Sequence, residues 1–483
     1  MSSAPRGPVN LPAQKTKIVG TIGPATSSPE VMQRLIEAGL NVARLNFSHG
    51  DFESHRSAVQ NLRAAAAAVG RDIAIMADLP GPKIRIGKLE TEPIELQAGE
   101  SFTLTTEEIV GNRQRASMSF LRLPEVVKPG DELYLNDGII RLVVKEVAPG
   151  EVRCRIAVGG ELRARKGLNL PGIDLGASAF TARDRECLEF ALENGVDAVS
   201  QSFVDSAADV VAVRQAAREL GFAPFIIAKV ERARALERID EILDAADGMM
   251  IARGDLGVEV PIERIAVIQK QLMWEAVKRA KPVITATQML ESMTASRQPT
   301  RAEATDVANA ILDGTDCVML SAESATGRYP VDAVETLARI AAYTESHRTS
   351  NAILNELRQR PREREYDTRD LAALSLEATL SITPAVAVVA PTDRGATARS
   401  IARFRLPVWV AAISSNLATA RHLHFSYGIS PRHHAAPIEN WDAFARGWVE
   451  EHGLSGKLAL LVQGPSPRHP EINRRIEFLD LDR

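Results

Sequence analysis

The sequence predicts an α/β chain in three parts: a (β/α)8 barrel, a small β-barrel domain inserted into one of its loops, and a C-terminal α/β domain. Three observations lead there. Short apolar, β-rich runs alternate with amphipathic spacers of helix length; the alternation breaks once for a stretch of runs split by Gly and Pro; past about residue 346 a shorter α/β alternation begins.

The barrel strands are, in order, TKIVGTIG (16–23), NVARLNFS (41–48), DIAIMADL (72–79), DAVSQSF (197–203), PFIIAKV (224–230), GMMIARGD (248–255), PVITATQ (282–288) and CVMLSAE (317–323). Runs apolar on both faces imply a sheet covered on both sides, and the spacers imply right-handed parallel crossovers. The first spacer, SSPEVMQRLIEAG, shows the type: Ser28 caps, Pro29 opens the first turn, Val31, Leu35 and Ile36 fall at helical spacing, and Gly39 ends it. Eight such units close a TIM-type barrel over residues 14–87 and 174–345.

Between the third and fourth strands, residues 88–173 read as short alternating runs such as GESFTLTT and GEVRCRIAVGGELRA, which form the inserted domain. The chain leaves the barrel through DLPGPKIRIG (78–87) and returns through KGLNLPG (166–172). In residues 346–483 a charged run, RQRPRERE, reads as a solvated connector. A helix from about Asp370 follows, then the strands AVAVVAP, LPVWVAAI and LALLVQG with helices between them. Residues 1–13 read as a loose tail.

At 483 residues the chain exceeds one ordinary core, and 45% hydrophobic with 25% charged residues marks a globular composition. A net charge of −4 gives no case for nucleic acid as a partner, and no run of about 18 apolar residues supports a membrane span. Cys154, Cys187 and Cys317 lie far apart and form no CxxC pair, which fits a reducing cytoplasm.

In a barrel of this type the chemistry gathers at the C-terminal strand ends. Those ends carry Arg44, Asn46, Ser48 and His49 on the second strand, Asp78 on the third, Ser202 on the fourth, and Lys229 and Glu231 on the fifth. The sixth adds Arg253, Gly254 and Asp255, the seventh Thr287 and Gln288, the eighth Ser321 and Glu323. Glu231 and Asp255, on adjacent strands, either offer two hard oxygen ligands to Mg2+ or pair with Lys229 and Arg253 as rim salt bridges. Their convergence with Lys229, Arg253 and Thr287 favours a site for a phosphorylated or carboxylated anion.

ARGDLGVEV sets Gly254 and Gly257 around Asp255, before a helix expected to open at Pro261; it reads as an anion-binding turn or a plain strand-to-helix turn. His49 reads as a local hydrogen-bonding residue, and His422, His424, His433, His434, His452 and His469 as surface residues without metal-ligand spacing. Neither GxxxxGK[ST] nor GxGxxG occurs, so any nucleotide occupies another kind of site. On fold logic alone, a Mg-dependent lyase acting on a keto-acid enolate, or a catalytically inactive regulatory relative, also suits such a barrel.

In order and spacing, TKIVGTIGPAT, NVARLNFSHG, GPKIRIG, KGLNLPG, AKVE, ARGDLGVEVP, ATQMLESM, PTRAEATDVANAILDGTDCVMLS and GRYPVDAV resemble pyruvate kinase over residues 14–345. The C-terminal part is similar in layout and weak in motif. The resemblance implies transfer of the phosphoryl group of phosphoenolpyruvate to ADP, giving pyruvate and ATP in glycolysis. It implies that Glu231 and Asp255 hold Mg2+ (or Mn2+) and that Lys229 stabilises charge on the phosphoryl in flight and on the enolate. Arg44, Ser202, Gly254, Asp255 and Thr287 would bind substrate, and Thr287 would help deliver a proton through water to the enolpyruvate carbon. Nucleotide contacts fall at Asn46, Phe47, Ser48, His49, Arg85 and Lys166, the last two on the hinge of an insert that acts as a lid. A cytoplasmic homotetramer, with neither nucleic acid nor membrane as partner, is the family expectation.

The chain departs from the family at several segments, including QGPSPRHPEINRR near its end and LSAES at the end of the eighth strand, and two of them bear on function. Its monovalent-cation position matches Asn46, Ser48, Asp78 and the backbone of Leu79, with a Glu where this chain has Lys83; Leu79, Pro80 and Ile86 also replace polar residues. Lys83 is therefore expected to bring a fixed positive charge near Asp78, making K+ dispensable. The effector loop PTDRGATARS (391–400) keeps Thr392, Gly395 and Thr397, with Arg394 among them, but Asp393 stands where phosphate would sit. A phosphorylated effector other than fructose 1,6-bisphosphate, held by Arg394 and Arg399, is the expectation.

Overall fold

The computed structural model describes residues 11–348, 367–465 and 470–482. The run RQRPRERE, residues 1–10 and His469 lie outside the described residues. Eight parallel strands, β1 (Lys17–Thr21), β2 (Leu40–Asn46), β3 (Ala74–Leu79), β4 (Ala198–Gln201), β5 (Phe225–Val230), β6 (Gly248–Ala252), β7 (Val283–Ala286) and β8 (Cys317–Leu320), form a closed barrel. Around the barrel they run β1, β8, β7, β6, β5, β4, β3, β2. Every strand residue except Asn46 is buried, as two-sided coverage requires. Val19, Val42, Met76, Ile227, Met250 and Met319 fill the interior. The first spacer forms the expected helix, Pro29–Ala38: the Ser28 hydroxyl accepts from the Val31 amide at 3.3 Å, and Gly39 stops it at φ +119°.

The insert folds into a curled six-stranded sheet and a two-stranded ribbon, Ile94–Leu96 with Gly160–Leu162, around Phe102, Leu104, Leu133, Leu142 and Ile156. Its two connections to the barrel pair with each other: Ile86 N donates to Lys166 O at 3.0 Å, and Leu168 N to Ile84 O at 2.9 Å. The hinge is thus a short antiparallel ribbon, not two free linkers.

The C-terminal part is a five-stranded sheet of β9 (Ala387–Pro391), β10 (Trp409–Ser414), β11 (Ile429–His433), β12 (Leu458–Gln463) and β13 (Arg475–Asp480), ordered β11, β10, β9, β12, β13. Two of these strands were not read from the sequence. β11 carries Pro431 and Arg432 in place of an apolar run, and β13 is an antiparallel edge strand of mixed polarity. The domain docks on the N-terminal face of the barrel. Arg405 pairs with Asp316, just before β8, at 2.6 Å; Phe425 stacks on Phe225 with ring centroids 5.4 Å apart; Lys17 Nζ donates to Ile429 O at 2.6 Å. This docking corrects the histidine reading: His424 and His452 are buried, and His422 is half-buried against Asp197, whose carbonyl lies 3.1 Å from its ring.

Candidate active site

Strand register assembles the centre of the site. Asp78, near the end of β3, lies opposite Asn46 on β2 and Ser200 on β4. Its carboxylate accepts from Arg44 Nε at 2.9 Å, from Arg44 Nη2, and from the Ser200 hydroxyl at 2.7 Å. Lys229 Nζ, at the end of β5, stands 3.1 Å from the same carboxylate and 2.9 Å from that of Glu231. Lys229 also donates to Ser202 Oγ at 2.6 Å, and the Ser202 hydroxyl in turn donates to Leu79 O at 2.7 Å. Arg44 further donates to Thr21 Oγ1 at 2.8 Å.

All four charged groups are buried. Burial alone would push the Asp78 carboxyl up, yet the Lys229 ammonium and the Arg44 guanidinium outweigh it and hold the group at about 2. Burial would strip the proton from Lys229, but Asp78 and Glu231 hold its ammonium well above the ordinary range. The result is a fixed, dry cation at the mouth of the barrel.

Of the two readings of Glu231 and Asp255, the structure contains part of each. Lys229 does pair with Glu231, whereas Arg253 turns away to Asp306 at 2.7 Å and leaves Asp255 outside the ion pairs of the described residues. Burial, with Asp255 adding like charge against the pull of Lys229, pushes the Glu231 carboxyl up. Two carboxylates that repel across one space fit a hard divalent cation. Glu231 and Asp255 would leave the remaining positions of such an ion to substrate oxygens and water.

The segment after β6 corrects the turn reading. Residues Arg253–Glu259 form a short helix directly at the strand end, followed by a 3-10 turn at Ile262–Arg264 and a helix from Ile265. Gly254 N donates to Thr287 Oγ1 at 2.8 Å, and that hydroxyl donates to Ala286 O at 2.6 Å. Thr287 and Gln288 adopt φ +69° and +54°. For a β-branched residue this conformation costs about 1–3 kcal/mol, so the surroundings must impose it. Ser321 and Glu323 of β8 stay out of the mouth: buried Glu323 accepts from the amides of Leu290 and Ser321, bracing the β7 and β8 loops.

The expected nucleotide contacts fall in the loop after β2 and on the hinge of the insert. Lys83 and Asp255 both line a cavity between barrel and insert that also touches Phe203 and Arg232. Arg85 Nη1 donates to Arg165 O at 2.9 Å, holding Arg85 along the hinge beside Lys166. In the β2 loop, partial burial of the His49 ring, followed by the nearby charges of Lys83, Arg85 and Arg44, lowers its pKa. The Phe47 ring lies under this loop, stacked on His55 at 4.2 Å, and offers only backbone to a ligand.

Groups at the monovalent-cation position are engaged by protein. Asn46 Oδ1 accepts from Ser48 N at 3.1 Å, Leu79 O from Ser202, and Asp78 from Arg44, Ser200 and Lys229. Lys83 is exposed, and among the described residues the ion pairs of Asp78 are with Arg44 and Lys229. In the effector loop Thr392 and Thr397 are buried. Arg399 is turned inward, donating to Arg394 O at 2.9 Å and lying over the Phe225 ring. Sequence reading missed Thr21 and Ser200 as site residues; the signal was a hydroxyl inside an otherwise apolar barrel strand.

The comparisons agree with this geometry. A family model described as pyruvate kinase, barrel domain, matches residues 13–334, and one described as pyruvate kinase, alpha/beta domain, matches 370–468. The pyruvate kinase of Thermococcus litoralis is 46% identical over 433 residues, 88% of this chain and 89% of the relative. That of Geobacillus stearothermophilus is 41% identical over 452 residues, 91% and 76%. The crystal structure of a pyruvate kinase from Cryptosporidium parvum superposes with a TM-score of 0.89 at 36% identity, over 97% of this chain and 96% of that one. With its barrel, inserted sheet and C-terminal domain all matched, the chain belongs to the pyruvate kinase family.

Proposed function

We infer that the chain transfers the phosphoryl group of phosphoenolpyruvate to ADP, giving pyruvate and ATP. The observation that carries this reading is the buried Arg44–Asp78–Lys229–Glu231 cluster facing Asp255 and Thr287. Lys229, kept charged and desolvated, stands ready for the negative charge of the phosphoryl in flight and of the enolate left behind. Arg44 orients the anionic substrate while Asp78 fixes its guanidinium. Glu231 and Asp255 would hold Mg2+, which supplies charge neutralisation at the phosphoryl and enolate oxygens. Thr287 orders a water that protonates the enolpyruvate carbon, and the hinge at Arg85 and Lys166 brings the insert over the nucleotide.

K+ independence belongs to the same proposal. What supports it is the engagement of Asp78, Leu79 O and Asn46 Oδ1 by Arg44, Lys229, Ser202 and Ser48, with Lys83 adding positive charge at the mouth beside His49. The test is pyruvate and ATP formation from phosphoenolpyruvate and ADP with Mg2+, in potassium buffer and in a bulky organic-cation buffer. Turnover in both supports the reading; no turnover in either sinks the phosphotransferase assignment, and loss only without K+ sinks the cation clause.

A further inference from the structure

We propose that Arg253, anchored by Asp306, is a positioning residue for the protonation half of the reaction, holding the Thr287 turn in the conformation that aims its hydroxyl. The proposal rests on the phosphotransferase reading above. Arg253 reaches no substrate: its guanidinium is committed to protein. Nε donates to Ala286 O at 3.2 Å, Nη2 to Thr287 O at 2.7 Å, and Nη1 to Asp306 at 2.7 Å, with Gln269 Oε1 at 3.4 Å and the Met289 sulfur at 2.9 Å. Two N–H groups of one planar fork therefore grip two successive carbonyls, that of Ala286 at the Ala286–Thr287 step and that of Thr287 just past it.

That step is where the chain leaves β7 and enters two consecutive left-handed residues, Thr287 and Gln288. A Thr has no preference for this conformation, and the fork supplies the constraint that the sequence of the turn lacks. The adjoining backbone completes the grip, since Gly254 N holds Thr287 Oγ1 at 2.8 Å. Asp306, on the helix Arg301–Asp313, is more exposed than the guanidinium it holds. It sets the position of the fork from outside the site. A Lys at position 253 retains charge but cannot present two coplanar donors.

The step concerned balances simply. The enolate carbon takes a proton from a water ordered by Thr287, a C–H bond forms, the enolate oxygen becomes the keto oxygen, and solvent returns a proton to that water. Phosphoryl transfer does not need this proton, so loosening the turn separates the two halves. The experiment compares wild type, Arg253→Lys and Asp306→Asn in two assays. One is exchange of pyruvate methyl protons in D2O, followed by NMR with Mg2+ and inorganic phosphate; the other is ATP formed in a single turnover from phosphoenolpyruvate and ADP.

Arg253→Lys is expected to slow methyl-proton exchange at least tenfold, with single-turnover ATP formation and the KM for phosphoenolpyruvate changed less than threefold. Asp306→Asn follows in the same direction, three- to fivefold. A parallel fall of both rates, or unchanged exchange, overturns the positioning role. Should Arg253→Lys not fold, Asp306→Asn decides alone. Wild type that forms no ATP overturns the phosphotransferase reading itself, a result distinct from active wild type whose variants lose both rates together.

Discussion

Replacing Asp78 by Asn removes one charge from the cluster while keeping its shape, and the structure sets the size of the effect. Lys229 and Arg44 hold the Asp78 carboxyl at about 2 against an ordinary 3.8, which corresponds to roughly 2.5 kcal/mol in favour of the ionised form in the folded state. Because the folded value is the lower one, this stability is complete above pH 3.8 and disappears as pH falls through 2. An amide also turns an N–H toward donors, either Arg44 or the Ser200 hydroxyl, and leaves buried cations short of a partner, a class of change that costs about 3–5 kcal/mol. Asp78→Asn is therefore expected to lower stability by about 3 kcal/mol, equally at pH 6 and pH 8, in urea unfolding followed by circular dichroism. Arg44 and Lys229 lose their common anchor, so kcat falls at least tenfold in the pyruvate-forming assay. A loss below about 1 kcal/mol with activity retained would refute the claim that Asp78 organises the two cations.

Lys83→Glu places a carboxylate at the rim beside His49, and activity is expected to become K+-dependent, read from initial rates across a K+ titration. Lys17, whose ammonium burial pushes down to about 7, sheds its proton in the folded chain before the unfolded one, so stability rises as pH climbs from 7 toward 10.5. Lys17→Met should thus stabilise by about 2–4 kcal/mol at pH 6.5 after allowing for the lost bond to Ile429 O, and by little at pH 10, in denaturant midpoints at the two pH values. Chelating divalent ions should abolish calorimetrically detected phosphoenolpyruvate binding, and Glu231→Gln should raise the Mg2+ concentration for half-maximal rate by tenfold or more.

The eight barrel strands were legible because each is buried on both faces, which forces an apolar run that no amphipathic helix shares. The strand-end residues followed from the barrel rule, and Arg44, Asp78, Ser202, Lys229 and Glu231 do converge. What remained hidden depends on order around the barrel or on distant sequence. Ser200 meets Asp78 only because β4 lies beside β3 across an insertion of more than 80 residues. The alternative pairing of Arg253 with Asp255 does not form: Arg253 is drawn to Asp306, on a helix that local reading cannot place next to it. The helix Arg253–Glu259 was read as a turn because two glycines sit in it; tertiary placement at the strand end overrode their low propensity. His424 was assigned to the surface because it lacks metal-ligand spacing, whereas the docking of the C-terminal domain on the barrel base buries it.

Charge balance at the mouth explains why these residues are more than rim salt bridges. Arg44 and Lys229 face Asp78, Glu231 and Asp255, so the ionised side chains alone leave one negative charge unbalanced, in a site whose substrate is itself an anion. Structural ion pairs would be expected to close, and here Arg253, the cation next to Asp255 in sequence, is withheld by Asp306. The withheld arginine keeps Asp255 available and at the same time fixes the Thr287 turn, so a single side chain leaves room for a cation on one side of the site and shapes the proton path on the other. A divalent ion held by Glu231 and Asp255 would turn the balance to one positive charge and so favour an anionic substrate. On the proposed reading, the same surplus of carboxylates would couple anion binding to the metal.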